Sequence, residues 1–109
     1  MQEERLKLLL DFLEKEPNEP FNRYAVAMEL LNLDLDAAKE HLEKLLKEYP
    51  TYLATYYQLA KIYFDKDFLE EAEVVYLKGI ILAKEQGNEK AERELKSAYE
   101  MLQDEMEEW

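Results

Sequence analysis

An all-α fold carrying an internal repeat is predicted by three observations. Only two glycines and three prolines interrupt 109 residues in which Leu, Ala, Glu and Lys dominate, a composition that favours helix almost throughout. Apolar residues return at the i, i+3, i+4, i+7 spacing of one helical face in stretch after stretch. Those stretches also overlay on one another at offsets of 33 and 34 residues. A closed antiparallel bundle would show the same apolar faces, but it has no reason to repeat small residues at that period.

Residues 1–16 place Leu6, Leu9, Leu10 and Leu13 on one face, widened by Leu8 and Phe12, and Pro17-Asn18-Glu19-Pro20 stops the helix. Leu9, Phe12, Leu13 and Pro17 overlay on Leu42, Leu45, Leu46 and Pro50 at a constant offset of 33. This first helix therefore reads as the second half of a repeat. Phe21 to Leu33 is the next helix, with Asn18 or Asn22 as its cap and Pro20 suited to its first turn. Its Val26, Ala27 and Leu30 overlay on Leu59, Ala60 and Tyr63 at an offset of 33. Past the turn, Ala38, Leu42, Leu45 and Pro50 overlay on Ala72, Tyr76, Gly79 and Lys84 at 34. The earlier repeat is thus one residue shorter, and the difference falls in the turn at Leu33-Asp34-Leu35-Asp36. A deletion inside a helix would instead rotate one face by about 100°.

Pro50 separates the repeats, and Thr51 is a candidate cap for the next helix. From Tyr52 to Lys84 the chain carries two amphipathic helices with small residues where the two must touch. Tyr56, Leu59, Ala60 and Tyr63 form one face; after Asp65-Lys66-Asp67, Ala72, Val75, Tyr76, Gly79, Ile80 and Ala83 form the other. Ala60, Ala72 and Gly79 read as recesses for Tyr63 and Tyr76. A glycine in mid-helix costs about 1 kcal/mol relative to alanine, so Gly79 implies a close helix approach. Gly87-Asn88 ends the second of these helices after Gln86. Glu89 to Glu107 then forms a last helix with Ala91, Leu95, Ala98, Tyr99, Leu102 and Met106 on one side and polar residues on the other, as a terminal cap requires.

The order aromatic, Leu-Ala, Tyr, then Ala, Tyr, small residue resembles the tetratricopeptide repeat, a helix-turn-helix of about 34 residues. Tyr56, Leu59, Ala60, Tyr63, Ala72, Tyr76 and Gly79 occupy its signature positions, with Tyr for the usual Trp and Gly for the usual Ala. The earlier repeat is weaker, with Arg23, Val26 and Leu30 for the first aromatic, Leu and Tyr. The resemblance implies a right-handed superhelix of antiparallel hairpins with about six helices in one domain: a half repeat (1–16), repeats at 20–52 and 53–86, and a capping helix at 88–107.

It also implies a scaffold that binds a peptide or helix of another protein in a concave groove lined by the first helix of each repeat. The outward positions there are Tyr24, Met28, Leu31 and Asn32, then Tyr57, Lys61, Phe64 and Asp65, of which Tyr24, Met28, Leu31, Tyr57, Lys61 and Phe64 are the candidate protein-binding residues. Either Tyr24, Met28, Leu31, Tyr57 and Phe64, which are apolar or aromatic, form an exposed interface, or they are core covered by the first helix or by side-chain collapse in so short an array. Some family members clamp an acidic C-terminus with a Lys-x3-Asn pair; Tyr24 and Met28 stand in its place, so an acidic tail is not the expected ligand. Self-association, with the groove or the capping helix buried between copies, is the alternative role.

Charge points the same way. Lys and Arg number 14 against 26 Asp and Glu, a formal net charge of -12, which repels nucleic acid and anionic membrane surfaces and favours a basic or neutral partner. The acidic Met1-Gln2-Glu3-Glu4 is unlike a secretory signal, and no apolar run nears the roughly 18 residues of a membrane span, so a cytoplasmic protein is expected. Without cysteine there is no disulfide, zinc thiolate or thiol nucleophile. The single histidine, His41, is expected on a polar, solvated face beside Glu40 and Glu43. Asp34-x-Asp36 and Asp65-x-Asp67 lack the glycine and distal glutamate of a calcium loop. No enzyme activity, metal or cofactor is expected. Trp109 is expected to be an exposed tail residue.

Overall fold

The computed structural model describes residues 2–107; Met1, Glu108 and Trp109 lie outside the described residues, and with them the expectation for Trp109. Among the described residues there are six α-helices and no strand: α1 (Gln2–Lys15), α2 (Pro20–Leu30), α3 (Leu35–Glu48), α4 (Ala54–Asp65), α5 (Leu69–Glu85) and α6 (Glu89–Glu107). They group into two compact units, residues 1–55 and 56–109.

In the first unit α2 packs between α1 and α3. Its core is Val26, Ala27 and Leu30 of α2 with Ala38, Leu42 and Leu45 of α3, all buried. Helix α1 contributes no fully buried side chain. Leu6, Leu9 and Leu13 are half-buried, whereas Leu10, expected on the inner face, is exposed with Leu8 and Phe12. Polar contacts anchor this helix instead. Arg5 Nε lies 2.9 Å from Glu29 Oε1, and the Asn22 amide donates to the carbonyls of Glu16 (3.1 Å) and Phe12 (3.4 Å).

That bond corrects the expected cap. The residue preceding α2 is Glu19, in extended conformation with no side-chain bond capping the helix, and Asn22 satisfies the carbonyl end of α1 rather than the amide end of α2. Pro20 does open the helix, where its missing N–H is not needed. Helix α2 stops at Leu30, three residues before the apolar pattern does. The amides of Leu33 and Asp34 both donate to the Leu30 carbonyl, at 3.0 and 2.8 Å, and Asp34 Oδ1 accepts from Ala37 N at 3.1 Å. Asp34 thus caps α3, and the chain must leave α2 early enough to place it there. Because α4 begins at Ala54, Thr51 lies within the preceding turn and not beside the first helical residue.

In the second unit Tyr56, Leu59, Ala60 and Ile62 of α4 are buried with Ala72, Val75, Tyr76, Gly79 and Ala83 of α5, and α6 closes the face with Leu95 and Leu102. Gly79 marks a close approach, as its place in mid-helix requires, but its neighbours differ from those expected. A Cβ built there would lie 2.8 Å from Tyr56 Cβ and 3.3 Å from both Leu95 methyls. The recess admits the stem of Tyr56 and the tip of Leu95, not the Tyr63 or Tyr76 ring. Tyr63 is half-buried and meets the Phe68 ring at a steep angle, with centroids 6.4 Å apart.

Both turns of this unit stop their helices in the same way. After α4 the Phe68 amide donates to the Tyr63 carbonyl (2.8 Å) and the Asp67 amide to Phe64 (3.0 Å), with Asp67 at φ 64°. After α5 the Asn88 amide donates to Ala83 (2.9 Å) and the Gly87 amide to Lys84 (3.1 Å), with Gly87 at φ 69°. This paired closure needs one left-handed residue, normally glycine. The turn from α2 to α3 has no such residue. The extra residue of the later repeat is therefore accounted for by the left-handed Asp67.

Candidate protein-binding site

Of the six residues that the resemblance marks for binding, three come together around one concavity. Tyr57, Lys61 and Phe64 follow the 3.6-residue period along α4 and line a cavity of about 220 Å³ with Asp65, Tyr76, Ala98 and Met101. Tyr57 and Phe64 are half-buried and Lys61 is exposed. Tyr57 and Tyr76 meet edge to face, 6.4 Å between centroids and 75° between planes, which sets two walls of the cavity nearly at right angles. Lys61 Nζ lies 3.0 Å from Asp65 Oδ2, one helical turn away, so the cation at the mouth is already paired.

Helix α6 supplies the remaining wall, from Ala98 of its apolar side and from Met101, which periodicity does not single out. Ala98 is small enough to leave the space open, and Met101 is 65% exposed. Met101 falls outside the buried face of α6, and that offset was the available signal for a second role. Burial pushes the Tyr76 hydroxyl up to about 12, with the neighbouring Tyr57 and Asp65 adding to it. Tyr76 is therefore a neutral hydroxyl at physiological pH and works as a wall, not as a base.

The other three candidates lie in the first unit. Tyr24 and Met28 are half-buried on α2, and Leu31 is half-buried just past its end rather than on the helix. Tyr24 and Tyr52 meet at a steep ring angle, 5.7 Å between centroids.

His41 departs from the solvated position expected of it. It is half-buried, and Arg23 Nη1 lies 2.9 Å from its Nδ1. Guanidinium is only a donor, so Nδ1 must accept and the ring must be neutral. Burial first, and then the Arg23 charge, hold its pKa below the usual 6.5. The imidazole is committed to a structural bond between α2 and α3. Among the described residues no three His, Asp or Glu side chains gather as metal ligands, and no helix is long and apolar enough to cross a membrane.

Six helices in succession, with small residues at matched positions, define an all-α helical repeat protein. A tetratricopeptide repeat family model matches residues 29–86, and the chain belongs to that family. A solution structure of a tetratricopeptide repeat domain protein from Salinibacter ruber is 38% identical over 80% of this chain and 89% of its own, with a TM-score of 0.75. A crystal structure of a tetratricopeptide repeat domain protein from the same organism is 37% identical over 78% of this chain and 97% of its own, also at 0.75. A protein from Bordetella parapertussis shares the fold at 22% identity, with a TM-score of 0.78 over 92% of this chain and 88% of its own. No curated protein matches the chain. Domains of this family are in general non-catalytic scaffolds for protein-protein interaction.

Proposed function

We infer that this chain is a non-catalytic binding module and that its partner inserts an apolar side chain, from a peptide or a helix, into the cavity on the second unit. The observation that carries this is the joining of Tyr57, Lys61 and Phe64 with Ala98 and Met101 around one space of about 220 Å³. Aromatic and methionine side chains are the groups that anchor protein interfaces. Tyr24, Met28 and Leu31 belong to the same reading as further contacts. The partner is basic or neutral, because a net charge of -12 penalises an acidic one at every separation within a Debye length.

The test is selection of a displayed peptide library on the wild-type chain, with binding compared on Met101→Glu and Phe64→Ala. Met101 is largely exposed, so Met101→Glu leaves helicity and melting unchanged while placing a charge at the cavity wall. Peptides that carry an apolar anchor and bind both variants at least about tenfold more weakly support the reading. Peptides that bind wild type and both variants equally would remove the cavity from it.

A further inference from the structure

Helix α5 carries two apolar faces, and the fold uses only one of them. Ala72, Val75, Tyr76, Gly79 and Ala83 are buried, whereas Val74, Leu77 and Ile81 are 50%, 40% and 58% exposed. At 3.6 residues per turn these three fall within about 60° of arc and make one stripe along the helix. The internal repeat provides a control. At the offset of 34 the equivalent residues of α3 are Glu40, Glu43 and Lys47, all charged. The repeat therefore needs no apolar side chain at these places, which leaves the stripe available to another surface.

We propose that α5 of a second copy covers it, packed antiparallel about a two-fold axis through Leu77. Charge placement carries that choice. Glu70 and Lys84 lie on the same side of the helix, each seven residues from Leu77, and both are exposed. Antiparallel pairing brings Glu70 of each copy to Lys84 of the other, while Val74 meets Ile81 and Leu77 meets Leu77. Parallel pairing would instead set Glu70 against Glu70 and Lys84 against Lys84. Lys78, beside the axis, meets its counterpart across the contact; its stem extends the apolar strip while the ammonium reaches water. None of the three stripe residues lines the cavity, to which α5 contributes only Tyr76 from its buried face.

Three exposed side chains per copy cover less than the roughly 800 Å² per partner of a standard interface, and the charge of -12 on each copy opposes association. The dimer is accordingly weak. Sedimentation velocity on the full chain, from about 10 μM to about 1 mM at roughly 0.15 M salt, tests it. The sedimenting mass should rise toward that of a dimer. Leu77→Glu, at an exposed position, should keep wild-type helicity and melting yet stay monomeric. Glu70→Lys and Lys84→Glu should each weaken association by about tenfold, since each turns two attractions per dimer into repulsions, and the two changes together in one chain should restore it. A monomer over the whole range overturns the proposal. So does a dimer indifferent to Leu77→Glu, or one that the single charge changes leave as strong as wild type.

Discussion

The α2–α3 hairpin and the α4–α5 hairpin solve one packing problem in two ways. In the later hairpin the bulk sits on the first helix, as Tyr56, and the facing position of the second is empty, as Gly79. At the equivalent positions of the earlier one stand Arg23 and the fully buried Leu45, so the bulk has moved to the second helix. Two further positions change chemistry. Ile62 and Val75 are buried hydrocarbon in the later hairpin, whereas Glu29 and His41 take their places in the earlier one. Each of those polar groups has an arginine: Arg5 on Glu29 at 2.9 Å and Arg23 on His41 at 2.9 Å. The Glu29 Oε2 atom is nonetheless buried without a hydrogen bond, a residual cost that the hydrocarbon version does not carry. The lesson is that this repeat conserves the volume between its helices and not the helix that supplies it, and that it accepts polar groups there if a donor reaches them.

The comparison can be broken at its bulkiest point. Leu45→Ala should destabilise the chain by about 3 kcal/mol in chemical denaturation, because it removes a fully buried side chain on which the earlier hairpin depends. A loss below about 1 kcal/mol would mean that the arginine stem fills the gap. Gly79→Ala should cost about 1 to 2 kcal/mol despite alanine's better helix propensity, since the added methyl meets Tyr56 Cβ at 2.8 Å and neither backbone can yield cheaply. Stabilisation by Gly79→Ala would show that the two helices stand further apart than this contact requires.

The turns and the polar pairs sharpen it with smaller effects. Asp67→Gly should stabilise by about 0.5 kcal/mol by relieving a left-handed side-chain residue, and the measured urea midpoint should rise. For His41 the direction is set by its lowered pKa. The unfolded chain takes up a proton near the ordinary 6.5 while the folded one resists, so the His41 contribution is complete above that value and is lost as the pH falls below it. Stability measured from about pH 7.5 down to about pH 5.5 should decline, and His41→Gln, which can still accept from Arg23, should flatten that decline. An unchanged slope in the variant would assign the pH dependence to the carboxylates.

What the sequence made legible was what local periodicity and backbone rules determine. The buried faces of α3, α4 and α5, the close approach at Gly79 and the helix stop at Gly87 all come from spacing or from the freedom of glycine. What it hid depends on partners distant in the chain. Asn22 has the chemistry of a cap for its own helix, and only the nearness of Glu16 and Phe12 turns it to theirs. Leu31 and Leu33 continue the apolar pattern of α2, but Asp34 captures the chain first. His41 stood between two glutamates in sequence, and its partner was an arginine on another helix. On the α6 wall of the cavity Met101 was illegible for a similar reason, because it lies off the face that the periodicity selects.

The paired stops after α4 and α5 bear on the order of events as the chain folds. Each closes a ring between residues five apart, at small loss of chain entropy, so it can form before distant faces meet. Gly87→Ala, forced against a backbone φ of 69°, should therefore slow refolding while the unfolding rate scarcely changes. The reverse partition in stopped-flow kinetics would make these reversals the last feature to form.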